Sequence, residues 1–220
     1  MIFLFIIIVK RFDACYSQES TQIQIYKEVE NSIEDAFEGL NTTVFAYGMT
    51  GAGKTHTMQG STEHPGIIPR VAQRVMELAE EKKEIGKEYE ISASYLEIYN
   101  EKVYDLLDPK EDLQIRQDAK GDIVIPGLCS KKIISYQQFE KTYQLGCRNR
   151  TTAPTACNEY SSRSHAVVVL YVQYKQQDKI TTGKIHLIDL AGSEDNRHTQ
   201  NSGKIFTIYL GLSKILIFDQ

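Results

Sequence analysis

With 220 residues, 41% hydrophobic and 25% charged, the chain has the length and composition of one folded domain with a substantial core. A net charge of -4 and a pI near 5.8 exclude nucleic-acid binding through a chain-wide basic field, leaving only a local patch for that purpose. Cys15, Cys129, Cys147 and Cys157 lie far apart with no C-x-x-C pair or metal-ligand spacing, so reduced thiols of an intracellular protein are expected rather than a zinc site.

The first element is the apolar run Ile2 to Val9, eight residues where a spanning helix needs roughly 20. It lacks a preceding basic region and a following small-x-small site, which argues against a signal peptide, and its isoleucines suit a buried strand. Ile23 to Phe37 has helical spacing and stops at Gly39. Val44 to Tyr47 is a short apolar run with β-branched and aromatic members, the pattern of a buried parallel strand.

The strand leads into Gly48-Met49-Thr50-Gly51-Ala52-Gly53-Lys54-Thr55, a G-x-x-x-x-G-K-[ST] pattern. Glycine lets successive backbone N–H groups turn into one concavity, which fits phosphate. A helix beginning near Gly53 adds the positive end of its dipole, Lys54 reaches outer phosphates, and the Thr55 hydroxyl is suited to Mg²⁺.

Pro69 to Lys83 reads as a further helix, and "YEISASYLEIYNEKVYDLL" as one or two strands around a short turn. Ile123 to Ile125 forms a small strand and Ser135 to Cys147 a helix. "HAVVVLYVQY" and "KIHLIDLAG" are strands separated by a polar connection, Lys175 to Gly183. The second of these delivers Asp189 and, beyond it, Gly192. An acid at a strand end beside a phosphate loop holds Mg²⁺ through water, and a nearby glycine N–H can sense the γ-phosphate. "NEYSSRSH", Asn158 to His165, concentrates hydroxyls, an amide and an arginine directly before a strand. Next to a triphosphate these groups would supply a metal ligand, a water-positioning group and a charge.

Together these runs resemble a kinesin motor domain. "FAYGMTGAGKTHTM" resembles the family's phosphate loop, "NEYSSRSH" its switch I and "DLAGSE" its switch II, with "SYLEIYNEKVYDLL" similar to the strand and turn between them. The resemblance covers about Phe12 to Asn201, and "LIDLAGSEDNR" is most similar to the chromokinesin Kid branch. It implies an α/β fold of the P-loop NTPase kind, a three-layer sandwich with a mixed, mostly parallel central sheet flanked by helices. The whole chain, 1–220, would be a single, partial motor domain, with an atypical apolar segment at 1–11 and a divergent one at 202–220.

The resemblance also implies roles. Gly48, Met49, Thr50, Gly51, Ala52, Gly53, Lys54 and Thr55 would cradle ATP, with His56 against the adenine and Asn158 supporting the site. Thr55, Ser162 and Asp189 would serve Mg²⁺. Ser161, Ser162, Arg163, Gly192 and Glu194 would carry catalysis, with Arg163 pairing Glu194 to latch the switches shut. Microtubules would be the partner, the location cytoplasm and cytoskeleton, with spindle or nucleus for a Kid-like member, and neither membrane nor nucleic acid is implied by this segment.

The chain departs from the family at its ends. The family's Arg-x-Arg-Pro-like motif, which clasps the base, is absent from the amino-terminal run, so His56 would hold the adenine largely alone. Beyond "SEDNR" only an echo of the family's next helix remains, in Leu210 to Leu216, and the elements that dock on tubulin are expected to be mostly missing. Without a last strand, the phosphate-loop strand would have an open apolar edge, unless the amino-terminal or carboxy-terminal apolar segment fills it. Marginal stability follows. ATP-driven motor activity is the leading reading, and an impaired remnant or isoform that at most binds nucleotide or another chain is the alternative. A GTPase is disfavoured, because no Asn-Lys-x-Asp run is present to read guanine.

Overall fold

The computed structural model describes residues 13–118, 123–151, 163–177, 179–193 and 214–217. The Asn158, Ser161, Ser162 and Glu194 sites and the amino-terminal strand expected at Ile2 to Val9 lie outside them.

The helical pattern after Thr21 resolves into α1 (Gln22–Glu30) and α2 (Ser32–Phe37) rather than one helix. Thr21 and Gln24 close a reciprocal capping box at the start of α1, and the interruption falls at Asn31-Ser32, where both side chains are weak helix formers. Strand β1 (Asn41–Tyr47) begins earlier than the apolar run and delivers the glycine-rich loop to the short α3 (Lys54–Met58). Helix α4 (Ile67–Glu84) starts ahead of Pro69, which still sits in the first turn, where an N–H has no intrahelical acceptor to lose.

Strands β2 (Tyr89–Tyr99) and β3 (Lys102–Asp105) flank a tight turn in which Asn100 and Glu101 both take positive φ, 50° and 61°, as a type I′ hairpin demands. A small hairpin pairs β4 (Arg116–Gln117) with β5 (Ile123–Val124), followed by β6 (Lys131–Ile133) and α5 (Tyr136–Thr151). The polar segment expected to separate the two long strands is itself strand. β7 (His165–Gln176) and β8 (Lys179–Asp189) stay in register to Gln176–Lys179, leaving only positions 177 and 178 between the two strands. A long two-stranded ribbon tolerates polar residues where it extends past the core, and that conceals strand in a hydropathy pattern.

The main sheet runs β3-β2-β7-β8-β1-β9, with β6 also on β2 and β9 spanning Lys214–Ile217. It is mixed, as expected, but parallel pairing is confined to β8-β1-β9, and the other described pairs are antiparallel. That corrects the expected predominance of parallel strands: the hairpins β2-β3 and β7-β8 impose the antiparallel half. β9 pairs with the outer side of β1, so the edge feared open is covered by the carboxy-terminal apolar segment as a strand, where an echo of a helix was read.

One cluster, built from Val29, Ile33, Met58, Ile67, Val71 and Val75 of the helices against Val44, Ile91, Leu170 and Leu187 of the sheet, forms the larger core. The opposite sheet face carries a smaller cluster of Phe45, Leu96, Ile98, Val103, Val167, Val169 and Ile188, against which Leu113, Ile115, Ile125 and Leu128 pack. All five described helices thus contribute to the first face. No helix among the described residues is long and apolar enough to cross a membrane.

Candidate nucleotide site

Sheet register assembles the site. Glu97 on β2, Ala166 on β7, Asp189 on β8 and Ala46 on β1 are successive register partners across the sheet, so one row ends where the glycine-rich loop begins. Partners in a row share a face, and the alanines of this row lie in the larger core, so both carboxylates point toward the helices.

The loop from Gly48 to Gly53 is closed by its own side chain. Lys54, 7% exposed, donates from Nζ to the carbonyls of Gly48 at 2.8 Å and Met49 at 2.6 Å. Gly51 and Gly53 have φ of 84° and 90°, in the left-handed region that an L side chain adopts only under strain. A Cβ at either would meet nothing within 4 Å, so the space beside the backbone is open. That combination describes a cradle rather than a packing contact.

Asp189 lies beneath it. Its Oδ2 accepts from Thr55 Oγ1 at 2.8 Å, while Oδ1 is buried with no hydrogen-bond partner among the described residues. Burial raises the Asp189 carboxyl above its ordinary range, opposed by the Thr55 hydrogen bond and by the charges of Arg150 and Lys54. A buried carboxylate with a vacant oxygen beside a threonine hydroxyl is a hard-oxygen donor pair, which fits Mg²⁺. That ion takes one or two protein oxygens and completes its shell with phosphate and water. No cluster of three or more His, Cys, Asp or Glu that could hold a metal exists among the described residues.

Switch-like contacts surround the loop. The N–H of Ser193 donates to the Gly48 carbonyl at 3.0 Å, placing Gly192 beside the cradle, and the N–H of Ala191 donates to His165 Nδ1 at 3.0 Å. Burial, with Arg150 nearby, pushes His165 down to about 4, so its ring is neutral and free to accept. Arg163 sits exposed at the start of this stretch. His56 is exposed on α3, with Gln22 of α1 donating to its backbone carbonyl at 2.7 Å.

Sequence reasoning passed over Arg150 and Glu97. Arg150 Nε lies 2.9 Å from Glu97 Oε1, its Nη2 donates to Ser164 Oγ at 3.1 Å, and its Nη1 is 3.9 Å from Asp189 Oδ2. The available signal was Glu97 itself, a charge at an inward position of the apolar strand "SYLEIY", which requires a buried partner.

A family model described as "Kinesin motor domain" matches residues 9–208. The chain belongs to the kinesin motor-domain family. Kinesin-like protein KIF22 of Mus musculus is 50% identical over 88% of this chain and 30% of its own length, and that of Danio rerio is 48% identical over 88% and 32%. These relatives agree with the chromokinesin resemblance, and kinesin-like protein KIN-10C of Oryza sativa subsp. japonica is 41% identical. Among solved structures, a fast kinesin, described with its ATPase mechanism and interactions with microtubules, superposes with a TM-score of 0.79 at 32% identity, covering 90% of this chain and 58% of that one. The chain spans about a third of the length of the curated relatives it matches, 30–32%. The kinesin match begins somewhat before, and ends somewhat after, the stretch expected from motifs alone.

Proposed function

We propose that this kinesin-family chain binds Mg-ATP in the Gly48–Thr55 loop and couples hydrolysis to switch movement and microtubule binding. The observation that carries the reading is the Thr55–Asp189 hydrogen bond at 2.8 Å below an open, left-handed glycine cradle. Bound Mg²⁺ would neutralise charge on the phosphate oxygens. The chain's own part is positional. Lys54 would exchange the Gly48 and Met49 carbonyls for phosphate oxygens, and the N–H groups of the loop would hold the phosphates. Thr55 and Asp189, joined by Ser162, would serve the ion. Gly192 would contact the terminal phosphate, and Asn158 and Ser161 would order the water.

Arg163 and Glu194 would latch the two switches when the terminal phosphate is present and release them when it leaves, an order–disorder transition of the kind that drives nucleotide switches. Catalysis on this reading is electrostatic positioning of an in-line attack by water. Ser193 N–H on the Gly48 carbonyl supports it, because the second switch already touches the phosphate loop.

Microtubule co-sedimentation with and without a non-hydrolysable ATP analogue tests the proposal. Nucleotide-dependent pelleting is expected. ATP binding without pelleting would instead identify an impaired remnant, the alternative that divergence over 202–220 favours.

A further inference from the structure

We propose that Gln22 is a positioning residue for the nucleotide base, holding His56 as a fixed stacking platform; this rests on the nucleotide-site reading above. Gln22 is the first residue of α1 and only 9% exposed, its place set by the Thr21–Gln24 capping box. Its Nε2 donates to the His56 carbonyl at 2.7 Å and lies 3.1 Å from His56 Nδ1 and 3.4 Å from His56 Nε2. One amide nitrogen so nearly equidistant from both ring nitrogens cannot donate in the ring plane to each. It straddles the imidazole instead and backs it from the α1 side.

The backbone contact has its own logic. α3 is a single short turn, Lys54–Met58, too brief to persist by propensity, and the His56 carbonyl is among those a helix end leaves unsatisfied. Gln22 supplies the missing donor. Gln22 Oε1 is buried without a hydrogen-bond partner among the described residues, while Nε2, the donor side of the amide, faces His56.

The consequence is a ring that cannot swing. His56 follows Lys54 and Thr55 directly and remains exposed on its outer side, so a planar base attached to phosphates in the cradle meets a pre-oriented π face. Stacking is tolerant of base identity, so the platform confers grip rather than choice between purines.

The experiment compares the parent with Gln22→Met, His56→Ala and the double variant for binding of Mg-ATP, Mg-GTP and Mg-tripolyphosphate by calorimetry, with thermal melts alongside. Gln22→Met should weaken both nucleotides by about tenfold and leave tripolyphosphate within about twofold, the loss expected when one base-stacking contact is removed. The double variant should bind no worse than His56→Ala. Equal weakening of tripolyphosphate would show an anchor of the loop, not of the base, and overturn the proposal, as would unchanged nucleotide binding or additive losses. A parent that binds tripolyphosphate but no nucleotide would sink this proposal and spare the phosphate cradle, whereas a parent that binds none of the three sinks the nucleotide-site reading itself. Should Gln22→Met melt far below the parent, the ¹⁵N resonances of the His56 ring in the parent decide: a fixed ring supports the platform, and a freely rotating one ends it.

Discussion

Arg150 and Glu97 form a buried pair, 2.9 Å between Nε and Oε1, with side chains only 10% and 2% exposed. Glu97 and Asp189 flank Ala166 in the same register row, and the small alanine leaves room for the guanidinium to lie between the two carboxylates. Arg150 therefore ties the strand that carries Asp189 to the segment entering β7 at Ser164. Removing one member of such a pair strands the other in low dielectric, whereas removing both can be nearly neutral.

Arg150→Met should accordingly destabilise the fold by about 3–5 kcal/mol, while Glu97→Leu/Arg150→Met should recover most of that loss. Urea unfolding of the two single variants and the double variant measures the coupling. Additive losses would show that the pair is not energetically joined.

Acid should weaken the fold before ordinary carboxylates titrate. Burial pushes both His165 and His186 down to about 4, aided by Arg150 for His165 and by Lys184 for His186, whose hydrogen bond to the Thr42 carbonyl works the other way. The unfolded chain takes up these protons near pH 6.5, the folded chain only near 4, so stability is full above the first value and lost as pH falls toward the second. By about pH 5 the loss should reach about 2 kcal/mol per histidine. Asp189, raised by burial, has the opposite sign and offsets part of it. His186→Gln should flatten the dependence of the urea midpoint between pH 7 and pH 5, and an unchanged slope would refute the assignment.

The legible parts of this chain were those where local chemistry admits one solution. Gly48, Gly51 and Gly53 followed by Lys54 and Thr55 are legible as a turning, glycine-rich loop that opens a helix, and Val44 to Tyr47 as the strand feeding it. Asp189 at the end of β8 was equally visible, since an apolar strand terminating in an acid leaves that acid at the sheet's rim. Arg150 was not, because its role depends on α5 running on through Arg150 and on a register linking Glu97 to Asp189, neither of which a local pattern encodes. Gln22 was hidden for a similar reason: it looks like an ordinary polar residue at a helix start, and only the packing of α1 beside α3 sets it against His56. β9 was ambiguous because Lys214–Ile217 is short and apolar, a length at which helix and strand patterns coincide.

Two glycines separate cradle from scaffold. A Cβ on Gly53 would enter open space but at φ of 90°, so Gly53→Ala should cost about 1–2 kcal/mol in backbone strain and abolish most nucleotide binding. A Cβ on Gly183 would collide with the Ala36 carbonyl, where α2 rests on β8, and backbone there has nowhere to retreat. Gly183→Ala should therefore cost about 1–3 kcal/mol and leave the affinity of the folded fraction intact. Melting curves paired with calorimetric titrations distinguish them. Identical nucleotide affinity for Gly53→Ala and the parent would contradict the cradle.

The strand β9 decides whether the sheet ends safely. Val44, Phe45, Ala46 and Tyr47 pair in parallel with Lys214, Ile215, Leu216 and Ile217, so the backbone groups on that side of β1 are satisfied by a segment late in the chain. Parallel strands alternate which residues donate across a given edge, so adjacent prolines at Ile215 and Leu216 must remove at least one N–H from this ladder. Each lost ladder bond is worth about 1 kcal/mol directly, and β1 would then present an unpaired apolar edge next to the phosphate loop. Ile215→Pro/Leu216→Pro should lower the melting temperature, raise light scattering on warming and weaken nucleotide binding, because β1 positions Gly48. A double variant that melts with the parent and stays monomeric would mean that β1 does not depend on β9.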